Sequence, residues 1–288
     1  MNTITARGTA LITGASTGIG AIYADRLAKR GHDLLLVARN GDRLAAQARR
    51  IASETGRKVA TVKADLTSPA DLRRVEDILR SHANISVLAN NAGVGAADPL
   101  VASDVDKMED MIRLNVTALT RLTYAAAPVF VGRGSGTIIN IASVVAIASA
   151  VLNGVYGGTK AFVLALTQSH AHELADKGVR VQAVLPGATA TEFWDIAGKP
   201  VHQLPAQMVM SADDLVDAAL AGLDLGETVT IPSLPSQAEW DRYDAARRAM
   251  SSRFERHRGP SLQPTSTPTF ERVGPRLIRQ ATPIRNQE

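Results

Sequence analysis

Thr9-Ala10-Leu11-Ile12-Thr13-Gly14-Ala15-Ser16-Thr17-Gly18-Ile19-Gly20 is the stretch whose reading decides the fold. Its first residues form a short apolar, β-prone run, as a buried strand requires. Glycines follow at Gly14, Gly18 and Gly20, and apolar residues then recur at helical spacing through Ile22, Tyr23, Leu27 and Ala28 until Gly31. Strand, glycine-rich turn and helix in immediate succession is the context in which such a turn holds a dinucleotide. Gly14 permits the tight turn, Gly18 lets the backbone approach a pyrophosphate, and Gly20 lets helix and strand pack closely. Ser16, Thr17 and Ile19 complete the turn. The helix N-terminus behind them offers unpaired N–H groups and partial positive charge to phosphates.

The alternation continues down the chain. Strands are expected at Thr9–Thr13, Asp33–Ala38, Lys58–Ala64, Ser86–Asn90, Thr137–Ile141, Arg180–Leu185 and Thr228–Ile231. Helical patterns lie between them at 18–30, 41–55, 69–82, 104–131, 154–177 and 211–224. Parallel strands joined by right-handed crossover helices follow from that order. The predicted fold is α/β: a doubly wound, Rossmann-type sheet of seven parallel strands with helices on both faces. Ligands of such a sheet sit beyond the carboxyl ends of its strands. Arg39 and Asn40, Asp65, Asn90-Asn91-Ala92-Gly93, Ser143 and Pro186-Gly187 all fall at those ends.

Composition narrows the class. Apolar residues make up 45% and charged residues 21% of 288, as in an ordinary globular protein, and no apolar run is long enough for a membrane span. The absence of Cys excludes disulfides and thiolate metal sites. A secretory signal is not expected, so the predicted location is cytoplasmic. From Arg242 onward there are ten Arg and four acidic residues, which accounts for the net charge of +4. The arginines are dispersed without interleaved aromatics, which reads as a solvated tail rather than a nucleic-acid or membrane surface. Residues 1–258 are therefore expected to form one domain, with a lid or binding loop at about 188–210. Residues 259–288, rich in Pro, Ser, Thr and Arg, are expected to form a disordered tail.

Chemistry points to Tyr156-Gly-Gly-Thr-Lys160, with Ser143 thirteen residues upstream. Tyr and Lys at i and i+4 share a helix face. An ammonium beside a phenol favours the phenolate, bringing a group of pKa near 10 toward use as a general acid or base. Alone, Tyr-x-x-x-Lys is a common pattern, and Ser143 alone fits a strand-end residue that satisfies backbone groups.

Together, in this order, the motifs resemble the short-chain dehydrogenase/reductase family, in its single-domain oxidoreductase branch. The resemblance spans about residues 6–232 and rests on Thr13-Gly-x-x-x-Gly-Ile-Gly20, Asn90-Asn-Ala-Gly93, Leu114-Asn115-Val116, Ser143, Tyr156-x-x-x-Lys160 and Pro186-Gly187. It implies that Tyr156 exchanges a proton with the substrate oxygen and that Ser143 hydrogen-bonds that oxygen. Lys160 would lower the Tyr156 pKa and hold the nicotinamide ribose, and Asn115 would hold a water linking Lys160 to solvent. Asn91, Ala92 and Gly93 belong by resemblance to the cofactor site, where the first Asn of the motif also supports the sheet. Asp65 and Leu66 would flank the adenine, and Thr189 and Thr191, with Pro186 and Gly187, would face the carboxamide and phosphates. Phe193 and Trp194 suggest an apolar substrate wall, or equally a packing of the lid against the core. Gly157-Gly158 departs from the family, which often has alanine or serine there.

The cofactor expected is NADP. After the second strand the chain reads Val37-Ala38-Arg39-Asn40, without the carboxylate that holds a ribose 2′-hydroxyl, and Arg39 suits a 2′-phosphate. The expected activity is hydride transfer between nicotinamide and a ketone, aldehyde or secondary alcohol, in a homodimer or homotetramer built through 104–131 and 154–177. The neighbouring alternative is a 3-oxoacyl thioester reductase. A non-enzymatic NADP-binding redox sensor is the reading from another class, but such proteins typically lose the Tyr or Lys kept here. No metal and no nucleic-acid partner are expected.

Overall fold

In the computed structural model, residues 7–251, 270–273 and 276–279 are described. The element order is β1 (Thr9–Thr13), α1 (Gly18–Lys29), β2 (Asp33–Ala38), α2 (Gly41–Thr55), β3 (Val59–Lys63), α3 (Pro69–Ser81) and β4 (Ile85–Asn90). It continues through α4 (Val105–Ile112), α5 (Leu119–Arg133), β5 (Gly136–Ile141), α6 (Gly154–Leu174), β6 (Val179–Val184), α7 (Phe193–Ile196), α8 (Ala212–Asp224), β7 (Val229–Thr230) and α9 (Gln237–Ser251). The seven strands form one sheet in the order β3-β2-β1-β4-β5-β6-β7, every pair parallel. The chain reverses its direction of travel between β1 and β4, which places a crevice at their carboxyl ends.

Strand periodicity divides the core into two layers. Ala10, Ile12, Leu34 and Leu36 face one side and pack with Tyr23, Leu27, Leu44 and Leu220. Leu11, Leu35, Val37 and Leu88 face the other and pack with Leu72, Leu79, Leu122 and Phe130. Each large apolar side chain so buried contributes about 1.5–3 kcal/mol. The edge strand β3 is the exception to two-sided burial, since Val59–Lys63 is half-buried or exposed throughout.

The helix expected at 104–131 runs unbroken from Val105 to Arg133 but is not α-helical throughout. Between α4 and α5 the residues Arg113–Ala118 form a π-helical turn centred on Asn115. The wider turn rotates Asn115 inward, a local departure that frequently marks functional sites.

Two compact units are distinguished, one ending at Gln237 and one beginning at Ala238. In the second, Phe270–Val273 and Arg276–Arg279 pair as antiparallel strands β8 and β9. The expected domain boundary at 258, and the rest of the expected tail, lie outside the described residues. Among the described residues, no helix is long and apolar enough to cross a membrane.

Candidate active site

Two strand ends are stitched together beneath the glycine turn. Thr13 Oγ1 donates to the Ala89 carbonyl (3.3 Å) and accepts from the N–H groups of Asn91 and Ala92, both at 3.0 Å. Asn91 Nδ2 donates to the carbonyls of Thr13 (2.9 Å) and Gly14 (3.2 Å). A Cβ on Gly20 would strike both Asn91 Nδ2 and the Gly14 carbonyl, so only glycine allows this closeness. Asn91 and Ala92 thus hold the turn in place from below.

The turn itself suits a dinucleotide. Gly14 and Gly18 adopt φ of 65° and 55°, a region open to glycine. The first turn of α1 carries neither a side-chain cap nor an acidic residue, whereas α2, α3, α4, α6 and α8 are capped by Asn40, Ser68, Asp104, Asn153 and Ser211. The free N–H groups behind half-buried Ser16, Thr17 and Ile19 therefore fit phosphate oxygens. Thr191 stands over the turn, its Cγ2 3.3 Å from where a Gly18 Cβ would be.

Arg39 is exposed at the end of β2, and its charge helps to hold the Asp65 carboxyl down. Burial pushes Asp65 up, but hydrogen bonds from Thr67 N (2.9 Å) and Oγ1 (2.8 Å), with Arg39, leave it below the usual carboxylate range. Leu66, next in the chain, is buried within the core layer that includes Leu11, Leu35 and Val37.

Tyr156 and Lys160 occupy the first two turns of α6. Asn153 sets that helix: its Oδ1 accepts from Val155 N (2.9 Å) and Tyr156 N (3.4 Å), while Nδ2 donates to the Asp98 carbonyl (2.8 Å) and Ser103 Oγ (2.9 Å). Lys160 Nζ donates to the Ile141 carbonyl at 2.8 Å and lies 5.8 Å from the Tyr156 ring centroid. Burial alone pushes the Lys160 ammonium down to about 8. Burial likewise pushes the Tyr156 phenol up to about 12, with the Ser143 side-chain hydrogen bond acting in the opposite direction. The sequence reading has Lys160 drawing the phenol toward neutrality; in this structure the two causes acting on the phenol are its burial, which is the larger, and the opposing Ser143 hydrogen bond. Ser143 Oγ also donates to the Pro186 carbonyl and accepts from Val145 N, both long at 3.3 Å.

Asn115 is turned to the loop after β4. Its Oδ1 accepts from Val94 N (3.0 Å), and Nδ2 donates to the Val94 carbonyl (2.8 Å) and Thr159 Oγ1 (3.2 Å). A Cβ on Gly93 would meet Asn115 Oδ1 at 3.1 Å and Lys160 Nζ at 3.5 Å, so the three converge. Asn153 and Thr159 were not singled out from sequence. The Asx residue three before Tyr156 was the available signal for a cap.

The lid divides the two aromatics. Phe193 packs on Tyr156, ring centroids 5.7 Å apart, within a small apolar cluster that includes Met111, Val145, Val94, Ala96 and Leu152. Trp194 is buried and its Nε1 donates to the Thr189 carbonyl at 2.9 Å, which fastens α7 to the segment leading into it. Thr189 is itself buried, with Oγ1 donating to the Gly187 carbonyl at 3.1 Å. So Phe193 packs on Tyr156, whereas Trp194 secures the segment after β6.

Solved structures with this arrangement carry the comparison further. A short-chain dehydrogenase from Sphingobium yanoikuyae in complex with NADPH is 50% identical, with a TM-score of 0.86 over 89% of this chain and 99% of that one. A bulky-bulky ketone specific alcohol dehydrogenase from Comamonas testosteroni is 43% identical, with a TM-score of 0.81 over 89% of this chain and 99% of that one. A very-long-chain 3-oxoacyl-CoA reductase of Danio rerio is 34% identical over 200 residues, 68% of this chain and 64% of that protein. The short chain dehydrogenase family model matches residues 8–200, across the glycine turn, Asn115, Ser143, Tyr156 and Lys160. The chain is therefore an oxidoreductase that belongs to the short-chain dehydrogenase family.

Proposed function

We propose that this protein interconverts apolar ketones and secondary alcohols with NADP as the redox partner. The observation that carries the reading is a buried Tyr156 with Lys160 Nζ 5.8 Å from its ring centroid and Phe193 packed on the ring within an apolar cluster. In the reduction, the Tyr156 hydroxyl gives its proton to the carbonyl oxygen while Ser143 donates a hydrogen bond to the same atom. Lys160, buried behind the ring, supplies the positive charge that stabilises Tyr156 as its proton leaves. Bound NADPH supplies the hydride. Gly14, Thr17, Gly18 and Ile19 would hold its pyrophosphate, with Gly20 letting helix and strand pack; Arg39, assisted by Ser16, would hold its 2′-phosphate, and Lys160 the ribose next to the reacting ring.

Val94, Ala96, Met108, Leu152, Val155 and Phe193 pack around Tyr156, Met111 and Val145, which favours a substrate with apolar flanks on the carbonyl. The Comamonas testosteroni relative, named for bulky ketones, agrees with that chemistry. The 3-oxoacyl thioester alternative draws on the Danio rerio relative. A panel of diaryl ketones, small ketones and 3-oxoacyl thioesters, followed by NADPH absorbance, separates them. Turnover of the thioesters alone would replace the ketone reading, and NADPH binding without any turnover would favour the redox sensor.

The exposed Ile112, Tyr124 and Phe162 on α4, α5 and α6 support assembly of a homodimer or homotetramer through those helices, in the cytoplasm. Sedimentation as a monomer would reject the assembly.

A further inference from the structure

Gly95, in the loop between β4 and α4, is buried under the tip of the Phe193 ring. A Cβ built on Gly95 would fall on Phe193 Cζ, with Cε2 at 2.8 Å and Cε1 at 3.2 Å. The ring therefore stands in space that any other residue would fill. Its other side lies against the ring of Tyr156, tilted by 44°. The backbone of the lid has little freedom to relieve this contact. Trp194 Nε1 donates to the Thr189 carbonyl at 2.9 Å, Ala97 N donates to the Ala197 carbonyl at 3.1 Å, Ala190 N donates to the Met210 carbonyl at 2.9 Å, and Met210 N donates to the Ala188 carbonyl at 2.9 Å. Whatever moves on entry of a substrate is the Phe193 side chain, about its own torsions, before it is the lid.

We propose that Gly95 and Phe193 together determine which carbonyl compounds reach Tyr156: Phe193 is a wedge, and the missing side chain of Gly95 is the notch in which it is parked. This rests on the reading of Tyr156 as the proton donor. A small ketone slips past the parked ring, and a ketone with two bulky groups has to turn it aside. A methyl group at Gly95 drives the ring out of the notch, farther into the space above Tyr156. Gly95 touches no reacting atom and acts through Phe193, so its effect vanishes when that ring is removed.

The test is a double-mutant cycle of Gly95→Ala and Phe193→Ala, scored as the ratio of kcat/KM for benzophenone to that for butanone. Phe193→Ala should raise the ratio about tenfold, and Gly95→Ala should lower it by a similar factor. In the Phe193→Ala background, Gly95→Ala should leave the ratio unchanged. A second readout needs no turnover: Trp194 meets Phe193 edge-on at 5.7 Å. In a Trp240→Phe background, Gly95→Ala should shift Trp194 emission only while Phe193 is present. Turnover of both ketones with equal Gly95→Ala effects in the two backgrounds overturns the wedge. No turnover of either ketone by the unmodified protein overturns the functional reading beneath it.

Discussion

Lys160 Nζ donates to the carbonyl of Ile141 at 2.8 Å, and the same nitrogen stands 5.8 Å from the ring centroid of Tyr156. The end of β5 thus fixes the cation, and the cation lies over the Tyr156 ring. Because both side chains are buried, each is shifted toward its neutral form, Lys160 down to about 8 and Tyr156 up to about 12.

Burial of Lys160 predicts a signature in stability. Its folded pKa lies below the unfolded value, so between about 8 and 10.5 the unfolded chain binds the additional proton. Stability from this group therefore rises as pH rises through that window, and the cost of the buried charge is fully present below it. The gain amounts to roughly 3 kcal/mol at most. Urea denaturation of the parent protein and of Lys160→Met at a series of pH values should differ by a slope confined to that window. Parallel curves would contradict it.

Arg39→Asp should reverse cofactor preference, because a guanidinium suited to a 2′-phosphate becomes a carboxylate suited to a 2′-hydroxyl. The ratio of kcat/KM with NADPH to that with NADH should fall about 100-fold. An unchanged ratio would remove Arg39 from the cofactor site.

Asn153→Ala removes the cap of α6 and leaves Tyr156 N without its acceptor. The loss should be about 1–2 kcal/mol in stability, with kcat falling more than KM changes because Tyr156 is displaced. Asn153→Asp keeps the cap acceptor and should restore most of the stability, while losing the donor bonds to Asp98 and Ser103.

Gly157→Ala should stabilise the protein by about 0.5–1 kcal/mol, since glycine inside a helix carries that entropic cost. The added Cβ would lie 3.5 Å from Ser149, an ordinary contact. Turnover should stay within about threefold, because the contact involves neither Tyr156 nor Lys160. A loss of stability, read from the denaturation midpoint, would mean that Gly157 serves a purpose beyond the contacts described.

What was legible in the sequence was local periodicity and chain order. The apolar runs that become β1, β2, β4, β5 and β6 are interrupted by residues that cannot extend a strand, and the intervening helices carry caps that are themselves readable, such as Ser68-Pro69 and Ser211 with Asp214. The π-turn at Asn115 was not legible, since the Asn115 side chain is held by Val94, 21 residues away in the chain. The separation of Phe193 from Trp194 was equally hidden: two adjacent aromatics look alike until one finds the Thr189 carbonyl and the other finds Tyr156. The direction of the Tyr156 shift depends on how deeply α6 is buried, which a five-residue motif does not encode. Gly95 carries no sequence signal at all, since its meaning lies in the ring that rests on it.

The most direct measurement is on Tyr156→Phe, which deletes one oxygen and keeps the ring against Phe193. NADPH titration should give a Kd within about threefold of the parent protein, while kcat/KM for a ketone substrate should fall about 1,000-fold. Turnover retained within about tenfold would contradict Tyr156 as the proton donor and, with it, the account of this site.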